Sequence, residues 1–337
     1  MPPDDDTLVD KRLRTRLGVG QVGGKPAPDL VGRVVLDHYL VEEQLGSGAT
    51  GAVFRGRHTK LGRPVAIKAL HDKHLDEPTM LGRFRREARA AARLRHANLV
   101  PVIDVGETDE GTQLIVFELA VGPTLRQIMT GPLPADRVAR LVRPILRGLD
   151  HAHGAHLIHR DLKPDNVIVE TGDDGSEIPR IVDFGIAVLQ DPDVGPGTKL
   201  TGTGVIIGTP LYMAPEQAKG EAIDHRVDLF ALGVMTYEML AGVPPFEGTA
   251  LEIAVANISS DPPPIAERAP EVAADPFLES YARKLMARDV SARFATAHEA
   301  LELLELADRD RELALSRMGH MNIERALAVV SLPRGER

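Results

Sequence analysis

Apolar positions in the first third of the chain alternate with polar ones. Such a period of two predicts strands. The pattern places them over Tyr39–Leu45, Ala52–His58 and Pro64–Leu70, with Val65, Ile67 and Ala69 on one face of the third. Two more follow at Val100–Val105 and Gln113–Phe117. Between them Met80–Leu94, rich in Ala and Arg, has the composition of a helix. After Gly122 the period changes. Pro134–His153 and Asp224–Gly242 predict long helices, the second strongly apolar from Leu229 to Leu240. Phe277–Met286 and Ala297–Leu306 predict shorter ones. A small, mostly antiparallel sheet with one helix over residues 31–120 is therefore expected to precede a mainly helical part over 121–306. Residues 1–30, with Asp4-Asp5-Asp6 and a Gly/Pro-rich run from Gly18 to Pro28, read as a flexible tail. Residues 307–337 read as a helical tail, and no internal repeat is visible.

Composition narrows the function. Of 337 residues, 43% are hydrophobic, enough for a sizeable core. The formal net charge of -9 opposes nucleic acid and anionic membranes, so neither is expected as a partner. There is no cysteine, which excludes disulfides, thiolate zinc sites and cysteine nucleophiles. No apolar run approaches the roughly 18 residues of a membrane span. Met1–Arg16 lacks the apolar core of a secretory signal. A cytoplasmic location is the expectation. Four histidines, His151, His153, His156 and His159, crowd one stretch, but without cysteines or a carboxylate triad a solvated helix end is preferred to zinc.

Leu45-Gly46-Ser47-Gly48-Ala49-Thr50-Gly51-Ala52-Val53 contains G-x-G-x-x-G. The glycines could serve a tight turn. A dinucleotide site needs them to open a helix, whereas here a strand follows. Strand, glycine loop, strand is a hairpin that can lie over a triphosphate, because residues without Cβ let backbone N–H groups approach the oxygens. The only Gly-Lys pair, Gly24-Lys25, is followed by Pro26, so the Walker A pattern fails.

Further motifs follow in order: Val65-Ala66-Ile67-Lys68, Glu87 within an arginine-rich helix, His159-Arg160-Asp161-Leu162-Lys163-Pro164-Asp165-Asn166, Asp183-Phe184-Gly185, and Gly208-Thr209-Pro210-Leu211-Tyr212-Met213-Ala214-Pro215-Glu216. From about Leu36 to Leu306 the chain resembles the protein kinases, and in its details the bacterial Hanks-type serine/threonine kinases. The resemblance implies an α+β, bilobal protein-kinase fold: a small antiparallel β-sheet lobe with one helix over 31–120, plus a larger, mainly helical lobe over 121–306. It implies transfer of the γ-phosphate of ATP to Ser or Thr hydroxyls of proteins, with Mg2+, or Mn2+ in its place.

The same resemblance assigns roles. Asp161 would orient the attacking hydroxyl and take its proton, and Lys163 would neutralise charge on the phosphoryl group. Lys68 would hold the α- and β-phosphates, and Glu87 would pair with Lys68. Asn166 and Asp183 would hold the metal with hard oxygen ligands. Leu45, Gly46, Ser47, Gly48, Ala49, Thr50, Gly51, Val53, Ala66, Lys68, Glu118 and Ala120 would bind the nucleotide, with Phe117 narrowing the back of the pocket. Thr209 would bond to Asp161, Glu216 would pair with Arg293, and Asp228 would brace the loop backbone. Ala49-Thr50 departs from the Gly-Met common in this group. The acidic hairpin Glu170–Pro179 is longer than the family's, and reads as a solvated turn rather than a calcium site. Thr198, Thr201 and Thr203 precede Glu216, and Arg160 stands where an arginine can clamp a phosphothreonine. Autophosphorylation at Thr201 or Thr203, and dimerisation to achieve it in trans, are expectations of the same kind. A kinase-shaped scaffold would have lost Lys68, Asp161, Asn166 or Asp183, and all four are present. A small-molecule kinase should lack the 209–216 segment. Protein substrates are not legible.

Overall fold

The computed structural model describes residues 29–48, 51–70, 78–184 and 210–319. The expectations for Ala49, Thr50, Gly185, Thr198, Thr201, Thr203 and Thr209, for residues 1–28 and for residues 320–337 lie outside the described residues.

Six strands form one antiparallel sheet: β1 (Val34–Val35), β2 (Tyr39–Gly48), β3 (Gly51–His58), β4 (Pro64–Leu70), β5 (Val102–Glu107) and β6 (Gln113–Glu118), in the order β1-β2-β3-β4-β6-β5. One face buries Val41, Phe54, Val65, Ile67, Leu114 and Val116 in a core of its own. The opposite face carries Leu70, Ile115 and Phe117, which join the larger core of the helical lobe together with Ala88 and Ala91 of helix α1 (Pro78–Ala91). Strand alternation thus decides where Lys68 goes. Val65, Ile67 and Ala69 fill the outer core, so Ala66 and Lys68 face the cleft between the lobes. β5 begins two residues later than the sequence pattern predicts. Pro101 has no N–H for the ladder, and the Val100 N–H goes instead to the Ile181 carbonyl at 2.9 Å. Leu30, assigned to the tail by composition, is buried in the outer core.

The helical lobe contains α2 (Leu125–Ile128), α3 (Ala135–Gly154), α4 (Pro215–Lys219), α5 (Arg226–Ala241), α6 (Ala250–Ser259), α7 (Ile265–Arg268), α8 (Pro276–Leu285), α9 (Ala297–Arg309) and α10 (Arg311–Arg317). Every residue of α5 from Val227 to Ala241 is buried. A helix apolar on all sides is the centre of a lobe, not its surface. α8 packs against α5 so closely that a Cβ on Gly233 would stand 2.8 Å from the Leu285 Cβ. The antiparallel hairpin β7 (Val167–Thr171) and β8 (Glu177–Ile181) leads from the Asp161 loop to Asp183. Two of its acidic side chains are tied to the protein, and the two at its tip, Asp173 and Asp174, are exposed: Glu170 accepts from the Val121 N–H at 2.9 Å, and Glu177 is paired with Arg137 at 2.6 Å. Arg311 of α10 hydrogen-bonds Asp275 and lies over the Phe277 ring, so this part of the C-terminal tail is packed onto the lobe. The architecture is the expected bilobal α+β fold. Among the described residues, no helix is long and apolar enough to cross a membrane.

Candidate active site

The loop that carries Asp161 connects α3 to β7, and its backbone is strained. Arg160 has φ +67°, a conformation that side chains with a Cβ rarely adopt. Asp228, at the buried start of α5, holds it there. Its carboxylate accepts the His159 N–H at 2.8 Å and the Arg160 N–H at 2.9 Å. His153 Nε2 lies 2.8 Å from the same carboxylate, and Gln217 Nε2 donates to the Arg160 carbonyl at 2.9 Å. Burial alone would raise the Asp228 pKa. The bond to His153 and the fields of His153 and His159 outweigh it, and the carboxyl stays below its ordinary range.

On this platform Asp161 is exposed. Lys163 Nζ donates to its Oδ2 at 2.7 Å, and Asn166 Nδ2 donates to its carbonyl at 2.8 Å. The nitrogen of the Asn166 amide is thereby committed, so its oxygen is the atom left to ligate. Across the cleft Lys68 Nζ donates to Asp183 Oδ2 at 2.9 Å. Asp183 also has a positive φ, +62°. One carboxylate and one amide oxygen are hard donors of the kind Mg2+ takes, and they fit a cation that also binds phosphate oxygens. Leu45, Val53, Ala66, Glu118 and Ala120 are half-buried, and Phe117 is buried.

One expected contact is not made. Lys68 pairs with Asp183, and Glu87 sits instead 3.6 Å from Arg160 Nη1. A single nearly buried ammonium takes the carboxylate nearest to it, and here that is Asp183. Three of the four crowded histidines separate into different tasks, and His156 is exposed. His151 stacks on His96, His153 binds Asp228, and His159 bonds the Val182 carbonyl and meets the Phe184 ring edge-on. Among the described residues, no group of three or more His, Asp or Glu side chains could hold a metal ion.

Gly51 has a reason independent of any ligand, since a Cβ there would stand 2.1 Å from the Ala69 carbonyl oxygen of β4. The buried pair expected between Glu216 and Arg293 is present, with bonds of 2.7 and 2.8 Å. Arg293 also donates to the Ala287 carbonyl and lies over the Phe230 ring.

The sequence matches the protein kinase domain family over residues 39–303. The chain belongs to the protein kinase family. Among curated relatives, this kinase is 38% identical to serine/threonine-protein kinase pkn3 of Myxococcus xanthus, over 84% of the chain and 52% of that protein. It is 41% identical to serine/threonine-protein kinase PknL of Mycobacterium tuberculosis, over 67% of the chain and 55% of that protein. The chain thus spans about half the length of these relatives. The crystal structure of the Mycobacterium tuberculosis PknI kinase domain superposes with a TM-score of 0.63 at 27% identity, over 82% of this chain and 99% of that one. Protein kinases of this family use ATP and a divalent metal.

The motifs did not announce another group beside the Asp161 loop. Arg126 of α2, Tyr212 and Glu238 of α5 form a hydrogen-bonded triad. The three lie far apart in sequence, and only the Arg126–Glu238 charge pair could have hinted at the contact.

Proposed function

We propose that this kinase transfers the γ-phosphoryl group of ATP to serine and threonine hydroxyls of proteins. The observation that carries the reading is the exposed Asp161 on a loop locked by Asp228, with Lys163 at 2.7 Å and Asn166 fastened to its carbonyl. Rigid placement matters because phosphoryl transfer depends almost wholly on positioning and charge stabilisation. Asp161 accepts the proton of the attacking hydroxyl and keeps its oxygen directed at phosphorus. Lys163, already beside that carboxylate, offsets negative charge on the equatorial oxygens. Lys68 fixes the nucleotide's α- and β-phosphates from the sheet side. Asn166 and Asp183 supply the protein ligands of Mg2+, whose contribution when bound is to neutralise charge that develops on the phosphates. The half-buried Val53 and Ala66 line the roof over the adenine, beside the segment from Phe117 to Ala120.

Serine and threonine are the proposed acceptors because Lys163 matches that class and the named relatives are serine/threonine-protein kinases. Incubation with γ-labelled ATP, Mg2+ and a basic test protein is expected to label Ser and Thr. Asp161→Asn should lose that label while still binding nucleotide. Nucleotide binding without transfer by the wild type would count against the assignment and favour a kinase-shaped binding module. Phosphate on Thr201 or Thr203 is expected in the same material.

A further inference from the structure

The Arg160 carbonyl belongs to the peptide bond that leads into Asp161, so the tilt of that peptide plane sets where the Asp161 side chain starts. Gln217 of α4 fixes it. Its Nε2 donates to the Arg160 carbonyl at 2.9 Å, and its Oε1 accepts the Ala214 N–H at 3.1 Å. Gln217 is 4% exposed, so water does not take over either bond. The orientation of the amide follows from its partners, since an N–H needs the oxygen and a carbonyl needs the nitrogen. Asp228 accepts the N–H of Arg160 and Gln217 binds its carbonyl, so the φ of +67° is held from both sides.

A helix cap is the plainer account of Gln217, which stands at the third position of α4 and satisfies the N–H just before it. A cap does not require glutamine. Glutamate caps this position as well, and its charge is favoured at a helix start. What glutamate lacks is a hydrogen for the Arg160 carbonyl. Only an uncharged amide presents an acceptor and a donor at the same chain end. Ala214 closes the stretch 210–214 that the kinase reading gives to peptide support. A second hold on that stretch comes from Asn257 of α6, 2% exposed, whose Nδ2 donates to the carbonyls of Pro210 at 3.1 Å and Met213 at 3.2 Å. The side-chain bonds of Asn257 end on that stretch, whereas those of Gln217 continue to the Asp161 loop.

We propose that Gln217 is a positioning residue that ties the placement of Asp161 to the stretch 210–214. With that stretch in its peptide-supporting form, Ala214 holds the amide against the Arg160 carbonyl, and Asp161 is set to meet the acceptor hydroxyl. When the stretch shifts, the amide moves with Ala214 and the carbonyl loses its donor. This rests on Asp161 being the carboxylate that meets the acceptor hydroxyl.

Steady-state transfer from ATP and Mg2+ to a Ser/Thr peptide, measured on the full chain beside a thermal melt, tests it. Gln217→Glu keeps the cap and loses the donor, and Gln217→Met, of similar size, loses both. Each is expected to lower kcat by about ten- to a hundredfold, with KM for ATP changed by less than about twofold. Gln217→Met carries the test alone if the buried carboxylate prevents folding. Asn257→Ala loosens the same stretch without touching the loop, so it should mainly raise KM for the peptide. Wild-type kcat in a folded Gln217→Glu would make the residue a cap and nothing more. A folded Gln217 variant that raises only KM for the peptide, as Asn257→Ala does, would make it a support for the stretch. Either result overturns the positioning role and leaves the kinase reading intact. No transfer to any peptide or to the chain itself by the wild type sinks the kinase reading, and the positioning role with it.

Discussion

Asp228 does no chemistry, yet the geometry of Asp161 depends on it. Without its carboxylate two backbone N–H groups of the loop lose their acceptor, and the positive φ of Arg160 loses what holds it. Each orphaned buried donor costs about 1–3 kcal/mol. Asp228→Ala is therefore expected to destabilise the fold by roughly 2–5 kcal/mol and to lower phosphoryl transfer further than that loss explains. Urea unfolding together with transfer assays at a temperature where the variant is folded would show it. The pH dependence has a definite sign. The folded pKa of Asp228 lies below its unfolded value, so its contribution is fully present above about pH 4 and disappears as pH falls through the folded pKa. Stability measured below pH 4 should fall less steeply in Asp228→Asn than in the wild type, and equal slopes would refute the assignment. Arg293 is another single-residue case. Its loss strands the buried Glu216 carboxylate, for an expected cost of about 3–5 kcal/mol. Arg293→Ala that melts within a degree or two of the wild type would mean Glu216 finds another partner. These residues were legible because each sits in a contiguous motif or at a fixed distance from one. Arg126 was not, because its meaning exists only where α2, α5 and Tyr212 meet.

At the scale of elements, most strands and long helices follow from periodicity, and the exceptions have local causes. Pro101 delays β5, as its missing N–H dictates. Helix α6 escaped the apolar pattern, although Thr249 and Glu252 form a capping box at its start, which the spacing T-x-x-E could have revealed. The glycine loop shows why a motif can be right for more than one reason. Gly51 pairs with Leu70 across β3 and β4, and its missing Cβ is what lets the Ala69 carbonyl approach. Gly51→Ala is thus expected to cost roughly 1–3 kcal/mol through overpacking, in the absence of any nucleotide. A thermal melt of the nucleotide-free protein checks this. No loss of stability there, with nucleotide binding weakened, would assign Gly51 to the phosphates alone.

Over the whole molecule, the ion pairs among the described residues that join the lobes include Lys68 with Asp183, Glu87 with Arg160 and Arg180 with Glu118, and the first two flank the proposed chemistry. The proposed chemistry needs a different pairing. Lys68 has to face phosphates and Asp183 a cation, so their mutual bond competes with both, and the kinase mechanism requires Lys68 to pair with the helix glutamate. α1 carries Glu87, and Ala88 and Ala91 on its buried side belong to the shared core. Turning Glu87 toward Lys68 therefore moves the helix against packed side chains rather than rotating one side chain. The exposed part of this exchange is weak, because a partly solvated pair such as Glu87–Arg160 contributes no more than about 1 kcal/mol. Its catalytic weight is far larger, since misplacing a phosphate-binding lysine by about 1 Å can cost on the order of a hundredfold in rate. Glu87→Ala should then leave the melting temperature nearly unchanged while transfer falls by about two orders of magnitude. Steady-state kinetics beside a thermal melt separates the two effects. Wild-type turnover in Glu87→Ala would mean that Lys68 works from its bond to Asp183, and that the arrangement seen here is already the active one.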